Sequence, residues 1–204
     1  MELWRDLWGG DVHFGYTQQS YWQAFNHELS SPFRETNYEP EIMWAYLRGR
    51  SADDLRHRSV ILGLVHQSNG GRLPQSRSWN RIYANFVFEY ENLYFSLKPW
   101  YRIPERAKSD PLDTSGDDNP DIMDYMGRGE ATLMWIRGPN RYGLMLRNNF
   151  DSPNHGAIQL DWSYPIRGKL QGYVQYFNGY GESLIDYNHR VNRFGIGLML
   201  NNWL

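Results

Sequence analysis

The stretch Ala157-Ile-Gln-Leu-Asp-Trp-Ser-Tyr164 puts Ile158, Leu160, Trp162 and Tyr164 on one face of an extended chain and Ala157, Gln159, Asp161 and Ser163 on the other. Successive side chains of a strand point to opposite faces, so this segment reads as a strand with one apolar surface. The rhythm returns at Phe194, Ile196, Leu198 and Leu200, which alternate with Arg193, Gly195, Gly197 and Met199. It returns again at Leu93, Phe95 and Leu97, set against Tyr94, Ser96 and Lys98. About ten such segments are expected, near 11–24, 40–50, 57–68, 78–90, 93–103, 122–137, 140–150, 156–164, 168–179 and 189–201. Helical periodicity is weak throughout. Joints such as Gly138-Pro-Asn140 and Pro165-Ile-Arg-Gly168 are short, whereas Pro104 to Pro120 is long and polar. Short turns at one end and long polar loops at the other mark an all-β, antiparallel transmembrane β-barrel.

A soluble barrel or sandwich also alternates. Two features favour the membrane. Aromatic residues gather near segment ends (Trp79, Trp100, Tyr101, Trp162, Tyr164, Tyr180, Tyr187, Trp203), as an interfacial girdle requires, and the less apolar face is charged at Arg81, Lys98, Arg128, Glu130, Arg147, Asp161 and Arg193. No apolar run approaches the roughly 18 to 20 residues of a spanning helix, the longest being Val60–Val65. The 204 residues suit a single domain. A net charge of −2 offers no broad basic face, so nucleic acid is not an expected partner. The chain has no cysteine, which excludes a disulfide scaffold and thiolate metal sites.

In the segment that ends near residue 68, the even positions are Val60, Leu62, Leu64, His66 and Ser68. In the next they are Asn80, Ile82, Ala84, Phe86 and Phe88. A hairpin joining the two would bring His66, Ser68 and Asn80 onto one outward face near the long-loop end. Polar groups beside an apolar surface are costly unless they bond to one another. Ser68 can donate to one nitrogen of His66 while the other nitrogen's hydrogen goes to the Asn80 side-chain carbonyl. That is the nucleophile, base and orienting group of covalent acyl transfer, with an amide in place of the usual carboxylate.

The stretches TQQSYW (17–22), SSPFRETNYEP (30–40), HQSNG (66–70), SRSWNR (76–81), KPWY (98–101), DDNPDI (117–122) and GYGESLIDYN (179–188) resemble the outer-membrane phospholipase A family of Gram-negative bacteria. The resemblance implies a twelve-stranded barrel that cleaves phospholipid acyl esters at the outer leaflet, requires calcium and is active as a homodimer. It implies Ser68 as nucleophile, His66 as base, Asn80 as its orienter and the N–H of Gly70 as oxyanion donor. It further implies a dimer calcium site of Ser76 and the carbonyl of Gly71 with the carbonyl of Ser30 from a second copy. Asp118 resembles the family's calcium ligand in the monomer, and Gln18 its dimer-spanning amide. Three departures stand out: Gly71 replaces a common arginine, Gln67 replaces a common acidic residue, and the 104–116 loop is longer than usual. Leu3-Trp4-Arg5 matches the end of the family's second strand. Residues 1–204 are therefore expected to form one N-terminally truncated barrel domain of about ten strands, with its closure open. The competing expectation is a passive barrel, a pore or scaffold with an inactive site.

Overall fold

The computed structural model describes residues 1–47, 56–110 and 112–200, with the side chains of 47 and 56–58 left aside. Eleven strands form one antiparallel sheet in sequence order: β1 (Glu2–Leu7), β2 (Gly10–Trp22), β3 (Phe33–Leu47), β4 (Arg56–Ser68), β5 (Ser78–Tyr90), β6 (Leu93–Ile103), β7 (Gly129–Arg137), β8 (Asn140–Asn148), β9 (Gly156–Arg167), β10 (Leu170–Gly179) and β11 (Val191–Met199). A short helix, α1 (Ile122–Met126), precedes β7. The expected segment at 122–137 is thus two elements. Glycines 127 and 129 break it, and the Gly127 carbonyl is tied to the Trp100 indole at 2.9 Å. The strand count is eleven rather than about ten, because β1 pairs with β2 through two register irregularities that hide its alternation. The ends of the expected segments at 40–50 and 189–201 lie outside the described residues.

Alternation decides which side of the sheet each residue occupies. Leu62, Leu64 and Ile82 are 47%, 50% and 53% exposed, whereas their neighbours Val65, Trp79 and Tyr83 are 1%, 0% and 4% exposed. A single sheet can bury one face so completely only if it is rolled around that face. Contacts across the sequence show the roll. Ile185 N–H donates to Glu35 Oε1 at 2.7 Å, the Tyr21 hydroxyl donates to the Glu182 carbonyl, and Arg193 pairs with Glu182 at 2.9 Å. The outer strands β1 and β11 are not hydrogen-bonded to each other, so the barrel-like sheet is not closed among the described residues.

The outward band of Leu, Ile, Phe, Trp and Tyr is the surface of an outer-membrane barrel, in which the strands' backbone groups are satisfied within the sheet. Inside, several charged and polar side chains pair with one another. Arg81 pairs with Glu39 at 3.4 Å, the Tyr83 hydroxyl donates to Glu41 at 2.7 Å, and Arg147 lies 3.8 Å from Glu130. At the loop end, Ile122, Met126, Leu184 and Tyr187 join Val65, Trp79, Tyr83 and Trp100 in one buried cluster. Trp79, Trp100 and Tyr187 are therefore not girdle residues. Odd parity in β5 turns Trp79 inward, where its indole donates to Gln67 Oε1 at 2.7 Å. Tyr101, Trp162 and Tyr164 do face outward, and Trp203 lies outside the described residues. Gly63 is the partner of Tyr83 across β4 and β5, and a Cβ at 63 would come within 2.3 Å of that ring. Gly63→Ala is expected to push the tyrosine from Glu41 and to cost about 1–3 kcal/mol, as overpacking does. Reversible urea unfolding in lipid vesicles reads that loss, and an unchanged midpoint would show that the ring has room to move.

Candidate active site

β4 and β5 pair without a shift from Arg56↔Tyr90 to Ser68↔Ser78, which sets His66 opposite Asn80. On the other flank, Tyr38 of β3 is opposite Ser68. His66 Nδ1 and Asn80 Oδ1 are 2.9 Å apart. Asn80 Nδ2 donates to Glu105 Oε1 at 3.2 Å, which fixes the amide with its oxygen toward the ring. Because Oδ1 accepts, His66 donates from Nδ1, and in the neutral imidazole Nε2 is then the lone-pair nitrogen. The expected bond between Ser68 and His66 is not formed here, and Ser68 Oγ makes no hydrogen bond among the described residues. The strand rise explains the gap. Residues two apart on one face are about 7 Å apart at their Cα atoms. A serine hydroxyl spans that distance only when the imidazole leans along the strand toward it.

Residues 69–77 join the two strands in a loop held from within by Asn69. The buried Asn69 accepts from the N–H groups of Gly71 at 3.0 Å and Arg77 at 2.9 Å, and donates to the Gln75 carbonyl at 2.8 Å. Gly70 has a left-handed φ of 59°, its N–H finds no acceptor among the described residues, and it is exposed beside Ser68. A free backbone donor next to a hydroxyl can stabilise a developing oxyanion. Asn119, fully buried in the β6–β7 connection, accepts from Ser78 N–H at 3.0 Å and so ties that connection to the start of β5.

The oxygen-bearing residues divide into two groups. Ser76 Oγ donates to Asp118 Oδ2 at 2.5 Å, and the Lys108 ammonium pairs with the same carboxylate. Lys108 also donates to the Asp113 carbonyl at 2.7 Å. Asp113 itself has its carboxyl held below the usual range, chiefly by the N–H of Ser115. The Asp118 carboxylate already attracts a cation, and with the adjoining Ser76 hydroxyl it offers the oxygen donors that a hard metal ion accepts. Gly71 lies in the loop that carries Ser76, whereas Ser30 lies in the separate β2–β3 loop; no hydrogen bond joins it to Gly71, Ser76 or Asp118 among the described residues. No cluster of three or more His, Cys, Asp or Glu that could hold a metal occurs among the described residues. Gln18 is exposed on the outward row of β2, and its Oε1 accepts from the Tyr16 hydroxyl at 3.0 Å.

A family model described as phospholipase A1 matches residues 1–200. The chain belongs to the phospholipase A1 family. A relative in Neisseria meningitidis serogroup B is 46% identical over 200 residues, which cover 94% of this chain and 49% of the relative. The phospholipase A1 of Escherichia coli K12 is 40% identical over 98% of this chain and 66% of its own length. The chain thus spans about half to two thirds of the curated relatives named here. Among solved structures of the family, the outer membrane phospholipase A of Escherichia coli superposes with a TM-score of 0.87 at 38% identity, over 100% of this chain and 81% of that one. The Salmonella typhi outer membrane phospholipase, a dimer with bound calcium, matches with a TM-score of 0.86 at 38% identity, over 98% of this chain and 75% of that one.

Asn69, Glu105, Lys108 and Asn119 escape the sequence reading, since each acts across a loop and none lies in a period-two row. Asn69→Ala leaves buried loop groups unpaired at about 1–3 kcal/mol apiece. Amide exchange at Gly71 and Arg77 is expected to quicken by roughly tenfold or more, while the amides of β4 keep their protection. Exchange unchanged at both positions would mean the loop is held by other contacts.

Proposed function

We propose that the chain is a calcium-dependent serine hydrolase that cleaves acyl esters of phospholipids and lysophospholipids at the outer leaflet of a Gram-negative outer membrane, as a homodimer in which residues 1–204 belong to a single, N-terminally truncated barrel domain. The observation that carries this reading is the 2.9 Å bond between His66 and Asn80 beside Ser68, on the lipid-facing side of the sheet. Family membership and the calcium-bound dimer of the Salmonella typhi relative support it.

In the reaction, Ser68 Oγ attacks the ester carbonyl carbon while His66 Nε2 takes its proton. The bond to Asn80 holds the ring and stabilises the positive charge it gains. The carbonyl oxygen becomes an oxyanion that accepts from the Gly70 N–H, a contact of a kind worth about 3 kcal/mol. Collapse breaks the ester bond, and the imidazolium returns its proton to the departing glycerol oxygen. Water then repeats the cycle on the acyl-enzyme, with His66 as base, and releases the fatty acid. In the dimer, Ser76 and the Gly71 carbonyl of one chain, with the Ser30 carbonyl of another, would hold calcium, and Asp118 would hold it in the monomer. When bound, the ion supplies positive charge near the oxyanion. The passive-pore reading is less favoured because interior charges are paired along the wall, as in Arg81–Glu39 and Arg147–Glu130, and not separated around an open channel.

Ser68→Ala is expected to remove hydrolysis with the barrel intact, and a sulfonyl fluoride is expected to label Ser68 alone. His66→Ala should cost more rate than Asn80→Ala, because the base moves the proton and the amide only orients it. Activity surviving in Ser68→Ala would sink the assignment.

Calcium and self-association should be linked, since neither chain alone completes the shell. Sedimentation in detergent with a substrate analogue is expected to show calcium raising the dimer fraction and Gln18→Ala lowering it. Lys108→Met removes the ammonium that calcium must displace from Asp118. Calorimetric titration should then give tighter calcium binding, and weaker binding would assign Lys108 a supporting place in the site.

A further inference from the structure

Asn80 has two polar ends, and the Ser68–His66–Asn80 reading uses only one. Its Oδ1 meets His66, and its Nδ2 donates to Glu105 Oε1 at 3.2 Å. Glu105 is half-buried, two residues beyond the end of β6. Ile103, the last residue of β6, is the register partner of Asn80, so the chain leaves the sheet directly beside the amide. Among the described residues Asn80 is the one hydrogen-bonding partner of the Glu105 side chain, and no lysine, arginine or histidine pairs with it.

The oxygen and nitrogen ends of an amide are nearly identical in shape, so packing alone does not choose between its two flips. A carboxylate does choose, because it only accepts. With Nδ2 held by Glu105, Oδ1 must face His66, the ring must carry its hydrogen on Nδ1, and Nε2 stays bare. In the opposite flip Nδ2 would donate to Nδ1. The hydrogen would then move to Nε2, and the ring could not take a proton from Ser68. The negative charge also polarises the amide and makes Oδ1 a stronger acceptor as the ring becomes positive.

We propose that Glu105 is a positioning residue for ester hydrolysis, acting through Asn80 to hold His66 in its basic tautomer. The proposal rests on the Ser68–His66–Asn80 reading. The carboxylate bonds to the amide and not to the ring, and the loop that carries it keeps the charge at the polar rim.

The test is steady-state hydrolysis of a lysophospholipid in detergent with calcium. The proteins compared are wild type, Ser68→Ala, Asn80→Ala, Glu105→Ala, Glu105→Gln and the Asn80→Ala/Glu105→Ala pair, each checked for the heat-modifiable gel migration of a folded barrel. Glu105→Ala is expected to lower kcat roughly tenfold, less than the about 10²- to 10⁴-fold that a positioned base supplies, with KM unchanged. Glu105→Gln, whose carbonyl still accepts from Nδ2, should recover most of that loss. In the Asn80→Ala background the second change should have no effect, because no amide is left to hold. If Glu105→Ala does not fold, Glu105→Met carries the same expectations. Wild-type kcat in the folded variant overturns the proposal, and so does an equal loss in the Asn80→Ala background. Hydrolysis by Ser68→Ala would instead overturn the triad reading on which the proposal rests.

Discussion

His66 stands opposite Asn80 because β4 and β5 pair over their full thirteen residues without a bulge. In a sheet with unlike faces, a slip of one residue would carry every side chain to the other side. His66 and Asn80 would enter the lumen, and Val65 and Trp79 would meet lipid. What prevents the slip lies on the inner face, where Val65, Trp79 and Tyr83 are buried, Gly63 leaves space for the tyrosine ring, and Gln67 accepts from the Trp79 indole. The candidate chemistry on the outer face is therefore held in place by packing on the inner one.

How much of this the sequence reveals depends on whether a contact repeats. Strand alternation does, and it marks the outward rows of β4, β5, β6 and β9 and the inward turn of Arg81, Lys98 and Asp161. The opposition of His66 and Asn80 follows from the same parity. Helix α1 is too short for its pattern to register: Ile122 and Met126, one turn apart, are both buried, but five residues give a single repeat. Trp79 shows the opposite failure. Its position near a segment end suggested the membrane interface, yet its odd place in the row sends it inward, and the row is the stronger guide.

The contacts that shape the loop end repeat nowhere. Asn119 reaches Ser78 across 41 positions, Ser76 reaches Asp118 across 42 and Asn80 reaches Glu105 across 25. Each is a single polar bond between a strand end and the β6–β7 connection, with no periodic partner to announce it. The Tyr187 phenol is another case: burial and the nearby Asp121 push its pKa above the ordinary range, and its hydroxyl binds that carboxylate. Loop residues brought together in this way become visible only when the sheet has set the strand ends side by side.

The distribution of charge at this end follows from the cost of dehydrating it. The proposed nucleophile, if it is to meet a lipid ester, must open toward the apolar band, where a bare carboxylate is expensive and a neutral amide is far less so. The group facing His66 is accordingly an asparagine. The carboxylates lie one step back, Glu105 behind the amide and Asp118 against Ser76 and Lys108, all in connections beyond the strand ends. Such a layout places uncharged amide and hydroxyl groups of the proposed site at the lipid boundary while fixed charges act on them from the wetter rim. The long β6–β7 connection fits the same account, because it supplies Glu105, Lys108 and Asp118 to strand ends whose own outward rows are committed to lipid.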